Sequence, residues 1–142
     1  DYRVIPWATF TDPEIAHVGL SEADAKQQNI NYEVTTYPLS ELDRAIAENS
    51  TDGFVKVLTA DGKDRILGAT VVGTNAGELL TEFVTAMKHK MGLNKILGTI
   101  HAYPTLSEAN KLAAGVWKRA HAPERVLGYL EIYHHWRLGR KR

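Results

Sequence analysis

Alternation of apolar and polar residues marks the strands in the first part of the chain. Glu14–Gly19 alternates as a half-buried strand does, and residues 11–13, which end in a proline, are typical of the turn before it. Residues 31–38 are rich in β-branched and aromatic side chains and predict another strand, and Ser21 is placed to cap a short helix between the two. Residues 39–50 fit either a short helix or a loop.

The clearest strand signal is a β-hairpin. Residues 53–60 and 64–73 are two segments of mostly apolar and β-branched side chains, and an Asp-Gly pair at positions 61 and 62 lies in the short connection between them. We therefore predict that these two strands are antiparallel neighbours.

Helical spacing dominates the second part of the chain. Asn75 is expected to cap a helix with Glu78 at its third position, and the apolar stripe of that helix is Leu79, Leu80, Phe83, Val84 and Met87. A second stripe after Thr105 consists of Leu106, Ala109, Ala113, Val116 and Trp117, and Pro123 is expected to begin a last amphipathic helix. Strands followed by helices predict the α+β class, with an antiparallel sheet covered by helices.

Composition narrows the range of functions. The 142 residues include 17 Lys+Arg and 17 Asp+Glu, so no net charge points to nucleic acid, and no apolar run is long enough to span a membrane. Without cysteine the chain has no disulfide, thiolate nucleophile or Cys-ligated metal, which is compatible with a cytoplasmic location. No two of the 11 glycines are two positions apart, which excludes the G-x-G-x-x-G dinucleotide loop. The histidine spacing predicts no metal site.

One short motif, "IHAYPTLSEAN" at residues 100–110, concentrates the residues capable of chemistry. Its structural interpretation is a helix start, because Pro104 suits a first turn and Thr105 with Glu108 forms a T-x-x-E capping box. Its functional interpretation is a site built from its two ring side chains, its Thr/Ser pair and its carboxylate. The local sequence leaves both open.

Four stretches together resemble a known family. "ATFTDPEIAHVGLSEADA", "TDGFVKVL", "DRILGATVVGTNAGELLTEF" and "IHAYPTLSEA" are similar, in order and spacing, to the C-terminal dimerisation domain of FAD-dependent pyridine nucleotide-disulfide oxidoreductases. The resemblance implies that residues 1–122 form this dimerisation domain, with residues 123–142 as an amphipathic helix and basic tail of the same domain. It also implies a homodimer and a parent chain whose preceding domains bind FAD and NAD(P)H, so that this chain alone is expected to bind neither cofactor and to be inactive.

The resemblance also assigns roles within the motif. In the family, an H-P-T-x-x-E stretch crosses the dimer interface into the active site of the other subunit. Its histidine, oriented by the glutamate, acts there as acid and base toward the redox thiols beside the flavin. Here Tyr103 stands at the histidine position, Pro104 and Glu108 match the proline and glutamate, and His101 corresponds to a second family histidine rather than to the catalyst. Tyr103 and Glu108 are thus the implied catalytic residues, and Tyr103 and Pro104 the implied flavin contacts, with a cis bond before the proline.

Tyrosine at this position changes the chemistry. A phenol with a reference pKa of ~10 is ionised about one part in a thousand at pH 7, so it is a poor general base compared with imidazole. Such a tyrosine resembles the mercuric reductase branch, although the tail lacks the cysteine pair of those enzymes. The substrate stays open at this point, as does the alternative of a non-enzymatic homodimeric assembly module.

Overall fold

The computed structural model describes residues 4–122 and contains one antiparallel sheet and five helices in that range. The strands are β1 (Trp7–Thr9), β2 (Glu14–Gly19), β3 (Tyr32–Pro38), β4 (Phe54–Ala60) and β5 (Ile66–Gly73), in the order β1-β2-β5-β4-β3 across the sheet. The helices are α1 (Glu22–Gln27), α2 (Asp43–Ala47), α3 (Ala76–Lys88), α4 (Leu93–Gly98) and α5 (Glu108–Ala120), with a 3₁₀ turn over Leu39–Glu41. The predicted α+β class is confirmed.

The predicted hairpin forms the middle of the sheet. β4 and β5 are antiparallel, with Val57 opposite Ala69, and in the loop between them Gly62 has a φ of 63°, a conformation that glycine adopts without strain. β2 pairs with β5 and not with β3, the next strand in the chain, so that Ala16 lies opposite Val71. The hairpin thus carries a strand on each side.

One face of the sheet is covered by two long helices. α3 packs against β2 and β5, and α5 packs against β3 and β4. The side chains between these layers are fully buried and include Val18, Val55, Val57, Val71, Phe83 and Ala113. Burial of each valine or phenylalanine side chain contributes about 1.5–3 kcal/mol, so this layer is the main source of stability. The predicted apolar stripe of α3 is confirmed, and that of α5 is confirmed from Ala109 onwards, since Leu106 lies before the helix.

The starts of α1 and α3 were both predicted correctly, but the predicted capping bond is present only in α1. Ser21 accepts the Asp24 N–H at 3.1 Å, and the Asp24 carboxylate accepts the Ser21 N–H at 2.9 Å, which completes a capping box. Asn75 precedes α3 as predicted, yet its side chain makes no capping bond. A capping residue normally has an extended backbone, whereas Asn75 has a φ of 58°.

An ion pair holds the end of α5 against the sheet. His121 Nε2 lies 2.9 Å from Glu33 Oε2 on β3, and His121 Nδ1 lies 2.8 Å from the Trp117 carbonyl oxygen. The bond to the Trp117 carbonyl raises the pKa of His121 despite partial desolvation, and Glu33 adds to the rise. For Glu33, desolvation favours a higher pKa, but the Gly62 N–H and His121 outweigh it, and the pKa is lowered.

Three further predictions concern residues 39–50, the last helix and membrane-spanning segments. Residues 39–50, left ambiguous by the sequence, form the 3₁₀ turn and α2. The helix expected from Pro123 onwards lies outside the described residues. Between residues 4 and 122, no helix has the length and apolar character needed to cross a membrane.

Candidate functional site

The motif singled out from the sequence lies in an irregular loop between α4 and α5. Residues 100–105 (the 100–105 loop) have no regular secondary structure, and the Tyr103–Pro104 peptide bond is cis, as the resemblance implied. Ile100 is 93% exposed and Tyr103 is 71% exposed. The loop therefore presents one aliphatic and one aromatic side chain to solvent.

The predicted capping box in this motif is only half formed. The Thr105 N–H donates to Glu108 Oε2 at 3.2 Å, but the Thr105 hydroxyl donates to the Ala102 carbonyl at 2.6 Å instead of capping the helix. α5 begins at Glu108, three residues after Thr105, and Ser107 at its N-cap makes no side-chain capping bond. The prediction of a helix start at Pro104 and Thr105 was therefore wrong, because Thr105 uses its hydroxyl to close the loop.

Tyr103 is held by a residue distant in sequence. Its hydroxyl donates to Asp43 Oδ2 at 2.9 Å, and Asp43 is the first residue of α2. This bond and the charge of Asp43 raise the pKa of Tyr103, and the charge of Glu108 adds a smaller effect in the same direction. Tyr103 is therefore a neutral phenol at pH 7 whose only proton is engaged.

The two implied catalytic residues lie in one electrostatic environment without a direct bond. Within residues 4–122, Tyr103 donates to Asp43 and Glu108 accepts from Thr105, and the two side chains make no hydrogen bond with each other. The glutamate consequently does not orient the tyrosine in the single chain. Asp43, which the sequence analysis did not identify, orients the tyrosine instead.

A partly buried polar cluster, which we call the Glu82 anchor, fixes the inner side of the loop. It consists of Glu82 on α3, His101 in the loop and Asn110 on α5. His101 Nε2 lies 3.0 Å from Glu82 Oε1, and Asn110 Nδ2 donates to Glu82 Oε2 at 2.9 Å. The His101 side chain is only 6% exposed. This placement agrees with the interpretation that His101 is not the displaced catalyst, because its ring faces inward.

A shallow groove lies next to the loop, between α3 and α4. It has a volume of about 210 Å³, and its walls include Thr85, Met91 and Ile96. Met91 is 37% exposed, and the chain passes directly from the groove, at Thr99, to the exposed Ile100. Groove and loop together form a continuous, partly apolar surface.

His17, another histidine in this part of the chain, has a structural role. His17 on β2 is 8% exposed, and its two ring nitrogens lie 2.9 Å from the Thr70 hydroxyl and 3.1 Å from the Gly19 carbonyl oxygen. In the part of the chain that the structure describes, no group of three or more histidine and acidic side chains is arranged to hold a metal ion.

The fold and this loop define a class of protein domain. Residues 5–114 match the family described as pyridine nucleotide-disulphide oxidoreductase, dimerisation domain. The chain belongs to this family. The family resemblance inferred from the four sequence motifs is thereby confirmed.

Relatives in sequence agree with this assignment. The chain is 47% identical over 116 residues to dihydrolipoyl dehydrogenase of Buchnera aphidicola subsp. Acyrthosiphon pisum, an alignment that covers 82% of this chain and 24% of that protein. It is 44% identical over 118 residues to dihydrolipoyl dehydrogenase of Vibrio cholerae, with 83% and 25% covered. The chain spans about a quarter of the length of these relatives.

Solved structures show the same fold. LpdA from Mycobacterium tuberculosis superposes with a TM-score of 0.75 at 28% identity, over 80% of this chain and 25% of that one. The flavoprotein disulfide reductase RclA from Escherichia coli superposes with a TM-score of 0.74 at 23% identity, over 79% of this chain and 26% of that one. The second likeness concerns the fold alone.

Proposed function

We propose that the chain is the dimerisation and active-site-completing domain of a flavin-dependent NAD(P)H oxidoreductase, and that it is inactive alone. The observation that carries the proposal is the 100–105 loop, in which Ile100 and Tyr103 face solvent while His101 is buried in the Glu82 anchor. An ordered loop with exposed apolar and aromatic side chains is suited to contact with another polypeptide. A two-fold homodimer is the commonest closed assembly that supplies one.

In this proposal the loop acts in trans, at the active site of the partner subunit. Tyr103 would offer its phenol oxygen as a hydrogen-bonding group, since its raised pKa leaves almost no phenolate at pH 7 to act as a base. Glu108 would hold the loop through Thr105 and place a negative charge near Tyr103.

The exposed edge of the loop fits contact with a flavin held by another subunit, and Tyr103 and Pro104 would form that contact. FAD in the parent would carry electrons from NAD(P)H to the substrate. This chain is expected to bind neither cofactor without the preceding domains.

A preceding domain would also cover exposed side chains at the first strand. Trp7 is 54% exposed and Phe10 is 83% exposed, and both lie near the start of the described residues. We propose that the FAD and NAD(P) domains of the parent chain pack there. A reductase of this type, without cysteine in this domain, fits the reducing cytoplasm.

We propose further that the parent is mercuric-reductase-like. Support comes from tyrosine at the position of the family histidine and from its neutral, bonded state, because a neutral phenol is better suited to contact a metal or thiol than to remove a proton.

Turnover of the full-length parent tests the role of Tyr103. Tyr103→Phe keeps the ring but removes the hydroxyl, so turnover should fall roughly 5–150-fold while folding and flavin content are retained. Tyr32→Phe is the control, since it also removes a phenol hydroxyl but lies at the start of β3, opposite Ala60, and it should leave turnover unchanged. A Tyr103→Phe enzyme as active as wild type would reduce Tyr103 to interface packing.

Two more variants separate the roles of the motif. Tyr103→His introduces a group with a reference pKa of ~6.5 and should confer weak reductase activity toward a small disulfide. Glu108→Gln in that background should lower the gained activity.

The chain by itself provides a second test. It should purify colourless and oxidise no NAD(P)H, and stoichiometric flavin absorbance would contradict the proposal. A parent gene without FAD- and NAD(P)-binding sequences upstream would favour the alternative of a non-enzymatic homodimeric assembly module.

A further inference from the structure

The contact between Tyr103 and Asp43 cannot be explained by residues that are neighbours in the sequence. The two residues are 60 positions apart, and the hydroxyl–carboxylate distance is 2.9 Å. Asp43 is exposed, but its neighbours Leu42 and Ala45 are 1% and 0% exposed, so α2 is fixed to the core on the side opposite its carboxylate. A second contact, from the Tyr37 hydroxyl to the Glu41 carbonyl at 2.8 Å, holds the turn before α2. The backbone that carries Asp43 is therefore fixed by core packing and by a hydrogen bond.

We propose that Asp43 is a positioning residue for Tyr103: it holds the phenol ring and accepts the hydrogen bond from its hydroxyl, so that the phenol oxygen presents its lone pairs to a ligand. This inference rests on the proposed function, in which Tyr103 acts at a partner's active site. A tyrosine hydroxyl has one proton to donate, and here the Asp43 carboxylate accepts it. Any further hydrogen bond to Tyr103 must come from a donor.

This arrangement restricts the substrate class. A ligand that contacts Tyr103 should offer an N–H, O–H or S–H group or a cation. An anionic acceptor would find no free donor there, because the Tyr103 hydroxyl already donates to Asp43. The charges agree, since Asp43 and Glu108 both place negative potential at the Tyr103 hydroxyl and raise its pKa. Arg44, next to Asp43 in sequence, does not offset this, because its guanidinium is bonded to Glu48, with Nε 2.6 Å from Oε1. The site should therefore prefer neutral donors or cations to anionic disulfides.

A purely structural role for Asp43 is the competing explanation. Asp43 is in the first turn of α2, where an acidic residue is favoured by the helix dipole without any partner. That role predicts no effect of Asp43 on Tyr103. A measurement on Tyr103 itself separates the two.

The first experiment is a pH titration of the 142-residue chain labelled with ¹³Cζ-tyrosine and followed by NMR. The Tyr103 signal is assigned by its loss in Tyr103→Phe. Asp43→Asn removes the charge but keeps an acceptor oxygen, and it should move the Tyr103 titration to lower pH than in wild type. Glu41→Gln is the control, since it also removes an exposed acidic charge close to α2 but leaves Asp43 and the Arg44–Glu48 pair intact, and it should leave the Tyr103 titration unchanged. An identical Tyr103 titration in wild type and Asp43→Asn would overturn the inference.

The second experiment measures turnover in the full-length parent. Asp43→Ala should reduce kcat about tenfold, and in the Tyr103→Phe background it should have no further effect, because the two residues act as one unit. Impaired Tyr103→Phe together with unimpaired or additive Asp43→Ala would overturn this inference and leave the proposed function standing. A fully active Tyr103→Phe would overturn the proposed function, whereas the titration would still report on the Asp43–Tyr103 pair.

Discussion

Replacement of Glu82 by alanine removes the acceptor that the 100–105 loop and α5 share. Asn110 would keep only its bond to the Leu79 carbonyl at 2.9 Å, and the His101 ring would keep only the Thr99 carbonyl at 3.1 Å. Neither group can reach water easily, because Asn110 is 0% exposed and the His101 side chain is 6% exposed. The perturbation therefore removes one hydrogen-bond partner each from the buried Asn110 amide and the buried His101 ring.

The size of the effect follows from these contacts. A hydrogen bond to a charged group contributes about 1.5–3 kcal/mol, and two are lost. The Glu82 side chain itself is 29% exposed, so water entering the vacated space will satisfy part of the loss. We expect Glu82→Ala to lower the free energy of unfolding by about 2–4 kcal/mol. Glu82→Gln, which keeps one acceptor oxygen, should lose less.

Urea unfolding at a fixed protein concentration measures this difference. Glu78→Ala is the matched control, because Glu78 is an exposed acidic residue one turn earlier on the same helix, and its replacement should change stability by no more than about 0.5 kcal/mol. Hydrogen exchange should also show residues 100–105 losing protection in Glu82→Ala before the strands do. If Glu82→Ala and Glu78→Ala unfold at the same urea concentration, the Glu82 anchor does not hold the loop.

Three further predictions test other parts of the structure. The raised pKa of His121 means that its pair with Glu33 stabilises the fold below about pH 6.5 and that this contribution is lost as the pH rises through the folded-state pKa. Wild type should therefore lose more stability than His121→Gln between pH 6 and pH 9. If the urea midpoints of the two proteins change equally over that range, the pairing is refuted. Gly68→Ala should cost at least about 2 kcal/mol in urea unfolding, because its Cβ would overlap the Leu20 carbonyl and lie 2.7 Å from the Leu20 nitrogen; an unchanged midpoint would contradict this. The wild-type chain should sediment as a dimer at micromolar concentration and Ile100→Asp as a weaker one, whereas a monomeric wild type would speak against the interface.

Elements with a local signal were predictable from the sequence. The hairpin follows from two β-branched segments around Asp61 and Gly62, and α1 follows from Ser21 with an acidic residue three positions later. Both signals depend only on residues that are neighbours in the chain. The capping of α3 and the start of α5 were predicted less well, because capping depends on the backbone before the helix: Asn75 has a left-handed conformation, and Thr105 bonds to Ala102.

The partners of the site residues were not predictable in the same way. Tyr103 and Glu108 could be singled out because their motif resembles one of a known family, but Asp43 is in a segment that fits helix or loop equally well. Its position depends on how Leu42 and Ala45 pack into the core. Glu82 gave no signal either, since a polar residue between apolar positions of an amphipathic helix normally faces water. Both contacts exist only once distant elements have packed.

The side-chain bonds of the 100–105 loop also have a thermodynamic consequence for assembly. Fixing one residue's backbone costs about 1–2 kcal/mol, so six residues that became ordered only on meeting a partner would weaken association by roughly 6–12 kcal/mol. Here Glu82 and Asp43 already hold the loop through His101 and Tyr103 in the single chain, so this entropy is lost during folding. Two chains can then dock as rigid bodies, and their association rate should be limited by orientation rather than by a rearrangement of the loop.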